Sequence, residues 1–267
     1  MRLVLLFTFL FLLVNIANAQ DIAYVVKNTQ NLDFINVLNS LSLTYDIIPS
    51  SQVSSTDFSS YRMILIGDEF FPNAMQFPVN NHNSLIVNTL HISDWGLSRT
   101  NPSQSIASRP LSVKNIDINK WVTNGLPEIT QTYTQAKELY SLTRSDVSGI
   151  SRYVITAENN DNPDHVITTV FPGKRLFNNK ITQGRITFFG ITESEFWTSD
   201  ARELFKRTLL FTLNGNDADS DNFADVLVGG LDCNDNDNTI NPDALEIPYD
   251  NIDQNCDGHD LTDVDND

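Results

Sequence analysis

Charge is spread so unevenly along this chain that it divides it in two. Residues 214–267 hold 15 Asp, one Glu and no Lys or Arg, a charge of −16. All that precedes them carries 17 basic and 18 acidic residues, so the net charge of −17 belongs almost wholly to the tail. The distribution predicts two units with different physics, residues 20–213 and 214–267. A polyanion offers no basic footprint for phosphate, which argues against nucleic acid as a partner.

The first twenty residues address the chain. Arg2 is a short positive start, residues 3–14 are almost unbroken apolar sequence, and Ala17-Asn18-Ala19 precedes Gln20 as a small-x-small cleavage site. These are the three parts of a secretory signal peptide, assigned to residues 1–19. The run is shorter than the roughly 20 apolar residues a membrane span requires. No later segment could span a bilayer, so the expected location is secreted or cell-surface. Both cysteines, Cys233 and Cys256, lie in the acidic tail. In an exported chain an isolated pair is most simply a disulfide.

Residues 20–213 read as alternating strands and helices. Ile22-Ala23-Tyr24-Val25-Val26, Tyr45-Asp46-Ile47-Ile48, residues 62–68 and Ser84-Leu85-Ile86-Val87-Asn88 are strand-like runs. Leu32, Ile35, Leu38 and Leu41 recur at helical spacing across 31–42, and residues 50–60 read as a Ser-rich polar loop. Strand, helix, strand implies parallel pairing through a crossover. The second half is less regular, with strands expected at 153–156, 165–171 and 185–191. A last helix is expected over 199–213, capped by Asp200 with Glu203 three residues on. The fold class predicted is α/β, a doubly wound, mostly parallel sheet of flavodoxin or amidotransferase type.

Tyr61-Arg62-Met63-Ile64-Leu65-Ile66-Gly67 and Gln183-Gly184-Arg185-Ile186-Thr187-Phe188-Phe189-Gly190 before a terminal helix are similar to class I glutamine-amidotransferase-like domains. The ThuA-like branch is the nearest in pattern. His91 at a strand end and Asn124-Gly125-Leu126-Pro127 stand where that branch has a His and a Gly-Leu-Pro segment. The departures matter more. Amidotransferases use a Cys nucleophile, and this domain has no Cys. Asp117-Ile118-Asn119-Lys120-Trp121-Val122-Thr123 occupies a stretch where ThuA-like sequences often carry His, and Gly190-Ile191 replaces a Gly-His. The resemblance therefore implies a non-enzymatic relative.

A different catalytic set would draw on His82, His91, Asp68, Glu69, Asp94, Glu193 and Glu195. Asp68 and Glu69 follow a strand's carboxyl end, where open α/β sheets bind ligands, and His91 could complete a base and its orienter. The plainer reading makes Asp68 a turn cap, and His91 and Asp94 hydrogen-bonded structural groups. Trp95, Trp121 and Trp197 could line a sugar platform, though core packing is the commoner use of such rings.

The tail holds the more specific pattern. Asp217-x-Asp219-x-Asp221 sets carboxylates at alternate positions, as in an oxygen cage for a hard cation. Asp225 and Asp232 are the later carboxylates available to it. Asp232-Cys233-Asn234-Asp235-Asn236-Asp237 is a second cluster. Asp253-x-Asn255-x-Asp257-Gly258 matches the first half of an EF-hand loop without its closing Glu. Leu227, Leu231, Ile240, Leu245, Ile247 and Ile252 are expected to give a small core, unlike a solvated acidic tail. The donors are oxygens, which suits calcium; copper or zinc would call for nitrogen or sulfur.

These residues resemble the metal-binding repeat of MopE-type exported proteins, in which a DxDxD start, an Asp-Cys cluster, Asn241-Pro242-Asp243-Ala244-Leu245-Glu246 and Asn255-Cys256-Asp257-Gly258 follow in order. That resemblance implies metal binding, often labelled copper. The final Asp263-Val264-Asp265-Asn266-Asp267 repeats the opening spacing, so either a second module begins there or these carboxylates close the third cluster. The sequence thus predicts an exported calcium-binding protein with a non-catalytic α/β domain, acting in binding or adhesion at the cell surface. Carbohydrate or another surface protein are its candidate partners. The rival is a secreted hydrolase or carbohydrate-active enzyme with Asp68, Glu69 and His91 in the chemistry and the module as an appendage.

Overall fold

The computed structural model of the chain describes residues 20–105, 112–116, 122–123, 125–143, 150–156, 164–214, 219, 221, 226 and 232–262. The signal-peptide segment, Trp121, Asn124, Asp217, Asp225, Leu227, Leu231 and residues 263–267 lie outside the described residues. Among the described residues no helix is long and apolar enough to cross a membrane.

The first strand, β1 (Gln20–Val26), is apolar without alternation because both of its faces are covered. Ile22, Tyr24 and Val26 pack into one cluster of the core, and Ala23 and Val25 into the other. Helix α1 (Leu32–Ser40) starts where Asn31 stops the chain: its side-chain oxygen accepts the N–H groups of Asp33 and Phe34 at 3.0 and 3.3 Å. The helix buries Phe34, Val37 and Leu38 and leads to β2 (Tyr45–Pro49). The strands β3 (Tyr61–Ile66) and β4 (Asn83–Ile86) follow as predicted.

The second half adds β5 (Ser103–Ser105), β6 (Ser112–Asn115), β7 (Ile129–Gln131), β8 (Leu139–Ser141), β9 (Ile150–Thr156), β10 (His165–Val170), β11 (Ile186–Phe189) and helix α2 (Ser199–Asn214). Nine strands form one sheet in the order β2-β1-β3-β4-β11-β10-β9-β6-β7, while β5 and β8 pair apart. The sheet is parallel from β2 to β11 and antiparallel from β11 to β7. The expected parallel α/β sheet therefore occupies one half of a mixed sheet.

Helices α1 and α2 cover one face, with Phe34 and Phe205 stacked at 4.7 Å between ring centroids. The other face has no α-helix among the described residues. The 3-10 turns Ser50–Ser55 and Phe58–Ser60 cover it, together with the two loops that carry Phe71 and Trp95, before and after β4. The stretch read as a polar loop thus delivers Val53 and Phe58 to the core, both nearly fully buried. The cap of α2 also differs from expectation. Thr198, not Asp200, accepts the Ala201 N–H at 3.1 Å, and Glu203 pairs instead with Arg207 at 2.7 Å. Gly190 ends β11 where any Cβ would stand 1.9 Å from the Tyr140 carbonyl oxygen, so only glycine fits this crossing.

Candidate metal centre

The interior of the tail is polar. Among the described residues from 232 to 262, the buried ones are Asp232, Asp235, Asn241 and Gln254. Of the apolar residues expected to form a core, the four described do not form one: Leu245 is 89% exposed, Ile247 59% and Ile252 46%, with Ile240 only half-buried. That expectation is corrected by a simple physical fact. Isolated apolar residues between Asp, Asn and Pro have neither the number nor the spacing to meet one another.

Short-range hydrogen bonds shape the segment instead. The Asp232 Oδ1 accepts the Asn234 N–H at 2.8 Å, and the Asn241 Oδ1 accepts the Asp243 N–H at 3.0 Å. Buried Gln254 accepts the Ile247 N–H and donates to Asp250, so one amide ties two loops. Glu246 accepts the N–H groups of Asn255 and Leu261 with its two oxygens. The Cys233–Cys256 disulfide closes the enclosed loop, with Cα atoms 5.6 Å apart.

Within this frame Asp219, Asp232 and Asp235 bring one carboxylate oxygen each to within 4.8 Å of the others. Asp232 is fully buried, and its Oδ2 has no hydrogen-bond partner. Burial pushes its carboxyl up to about 6, and the charges of Asp221, Asp219 and Asp235 push in the same direction. Such a group is costly unless something positive meets it. Every donor of this triad is a carboxylate oxygen, both sulfurs are bound to each other, and His259 is exposed elsewhere, so the residues fit a hard divalent cation.

The other expected ligands are placed differently. Asp221 stands next to the triad, its N–H on Asp219 Oδ1 at 3.3 Å. Asp237 is exposed and caps a turn through the N–H and hydroxyl of Thr239. In the third cluster Asp253 accepts the N–H groups of Asp257 and Gly258, as the first residue of an EF-hand loop does, and Asn255 accepts that of Asp257. The φ of +98° at Gly258 permits that turn. These oxygens are directed at backbone, and among the described residues only the Asp219–Asp232–Asp235 set gathers at ion-binding distance. Two residues escaped the sequence reading, Gln254 and Asp260. The Asp260 Oδ1 is buried without a partner while its Oδ2 accepts the Asn251 N–H. The burial of such groups depends on loop closure and leaves no periodic signal.

In the large domain Asp68 and Glu69 stand at the carboxyl end of β3, and Glu193 and Glu195 border the same crevice. His91 is elsewhere. Its ring is buried between Phe70, Phe71 and Trp95, its Nε2 accepts the Phe71 N–H at 2.9 Å, and its Nδ1 meets Asp94 at 2.8 Å. The nitrogen a general base would use is therefore occupied. His82 is half-buried beside Phe58. Trp95 and Trp197 are core residues, each donating its indole N–H to a backbone carbonyl.

Residues 232–260 match a family model named for copper binding in MopE and described as "Putative metal-binding motif". No curated protein sequence matches the chain. Solved structures similar to it include a "putative gmp synthase subunit a protein" from Thermoplasma acidophilum, 14% identical, covering 73% of this chain and 94% of that one at a TM-score of 0.44. A "Putative thua-like protein" from Bacteroides uniformis is 11% identical over 74% of this chain and 90% of its own, with a TM-score of 0.45.

Proposed function

We propose that the tail is a calcium-binding module whose ion supplies the positive centre of its polar interior. In this reading it is carried by an exported chain whose α/β domain binds rather than catalyses. The observation that supports it most directly is Asp232, fully buried, with one carboxylate oxygen lacking a hydrogen-bond partner and two further carboxylates within 4.8 Å. A divalent ion there would be held by Asp219, Asp232 and Asp235, and it would neutralise charges that otherwise repel. An all-oxygen set favours calcium over copper. The affinity expected of an extracellular module is about 10⁻⁴ to 10⁻³ M.

Export rests on the sequence of residues 1–19, and a binding rather than hydrolytic role on the engagement of both His91 ring nitrogens, by the Phe71 N–H and by Asp94. The hydrolase reading loses its base in that arrangement. Calorimetric titration of the full chain with calcium and with copper tests the metal. Saturable calcium binding that Asp232→Asn weakens upholds the reading. Binding of copper alone, or of neither ion, overturns it.

A further inference from the structure

The start of β1 carries the groups for a covalent change that the chain can make to itself. The small-x-small site ends at Ala19, so cleavage there leaves Gln20 as the first residue. Gln20 is also the first residue of β1, in register with Tyr61 of β3. The mature chain thus begins flush with a strand that lies inside the sheet, between β2 and β3.

The residues after Gln20 are fixed. The Asp21 N–H donates to the Thr44 hydroxyl at 3.0 Å. The Asp21 carboxylate accepts the Thr44 N–H at 2.9 Å and the Arg62 guanidinium at 2.8 Å. Ile22, fully buried, donates its N–H to the Thr44 carbonyl at 3.1 Å. Gln20 itself is only half-buried, and among the described residues its carboxamide has no hydrogen-bond partner.

Once the bond to Ala19 is cut, that carboxamide faces the α-amine of its own residue. An α-amino group has a pKa of about 7.7–8.0, so part of it is neutral and nucleophilic at neutral pH. Nitrogen and Cδ belong to one residue, and joining them closes a five-membered ring without the entropic cost of bringing two groups together. The ring contains N, Cα, Cβ, Cγ and Cδ. It leaves the Gln20 carbonyl, and the strand beyond it, as they are.

We propose, on the reading that the chain is exported, that Gln20 of the mature protein cyclises to pyroglutamate. The N–Cδ bond forms and the Cδ–Nε2 bond breaks. The amine passes one proton to the leaving nitrogen, which departs as ammonia, and nothing is oxidised or reduced. The terminal positive charge is lost, and with it the free amine that aminopeptidases require. No residue stands to spare in front of the strand: trimming through Asp21 would remove the bonds that tie its start to Thr44 and Arg62. The lactam closes that end.

The test is mass spectrometry of the full chain, secreted under its own leader and held at neutral pH until a synthetic peptide of residues 20–26 has cyclised. Free amines are methylated before digestion, so that rings formed during handling are told apart. The N-terminal peptide should start at residue 20, be lighter than its encoded mass by one ammonia, carry no methyl label on its terminus, and lose residue 20 to pyroglutamyl peptidase. Gln20→Ala should give a labelled terminus, and an aminopeptidase should shorten this variant and not the parent. A labelled Gln20 in the parent would overturn the proposal and leave export standing. A chain that keeps Met1 would overturn the export reading, and one that starts after residue 20 would overturn the proposal through its cleavage site. Shortening of both proteins, or of neither, would overturn the protective role.

Discussion

Asp232→Asn should act in opposite directions with and without calcium. The substitution keeps the shape of the side chain and removes one charge. Asp219 and Asp235 each lie within 4.8 Å of Asp232 at their carboxylate oxygens. A like-charge pair at that distance costs roughly 0.9 kcal/mol at the dielectric of water and roughly 3.5 kcal/mol at an effective value of 20. Two such contacts make the relief on the order of 2 kcal/mol or more in chelator, and the new amide can also donate to the neighbouring carboxylates. In calcium the same change removes a charged ligand, and the dissociation constant should rise about tenfold to a hundredfold. Amide hydrogen exchange of the tail reads both effects, since the Asn234 and Gly258 N–H groups are bonded only inside the folded segment. Protection should increase in chelator and decrease at limiting calcium. A variant that loses protection in both conditions would show that Asp232 is a structural acceptor and not an ion ligand.

Other consequences are simpler to measure. Reducing the Cys233–Cys256 bond, whose ends are 23 positions apart, should cost the tail about 3 kcal/mol on the chain-entropy model, seen as a higher calcium requirement for the same exchange protection. His91→Ala should destabilise the large domain by about 2–4 kcal/mol in denaturant melts, because it leaves a cavity and strands the buried Phe71 N–H; unchanged stability would refute its structural role. Burial raises the Asp21 carboxyl, but hydrogen bonds from Thr44 and Arg62 outweigh it and hold it below its ordinary value. Its folded form therefore favours the ionised state, and its contribution is present above the unfolded pKa of about 3.9 and lost as pH falls through the lower folded value. Asp21→Asn should cost under about 1 kcal/mol at pH 7 and nothing in acid; a penalty that persists in acid would contradict the assignment.

The parallel half of the sheet was readable because its signals are local. An unbroken apolar run marks a strand covered on both sides, and Asn31 before Leu32 marks a helix start. The antiparallel half was not readable to the same degree. β6 and β7 are four and three residues long, and partners across the chain set their register, not a pattern of their own. Thr198 and Asp200 are both cap-forming residue types, with Asp the better by type, and only the position of the first turn makes Thr198 the cap. In the tail the carboxylates were evident from spacing, but which of them converge depends on how the loops close. The apolar residues misled because a core was sought in the usual place.

A segment that folds around Asp232, Asp235, Asn241 and Gln254 while leaving Leu245 and Ile247 in water has an unusual calorimetric character. Unfolding ordinary domains hydrates apolar surface and raises the heat capacity, whereas exposing polar surface lowers it. The tail should therefore unfold with a heat-capacity change near zero, and its free energy should vary almost linearly with temperature, with little of the curvature that leads to cold denaturation. The variable that moves it is instead the activity of whatever binds the folded form, through the logarithm of concentration over Kd. Such a segment is indifferent to cold and strongly responsive to the ionic composition of its surroundings.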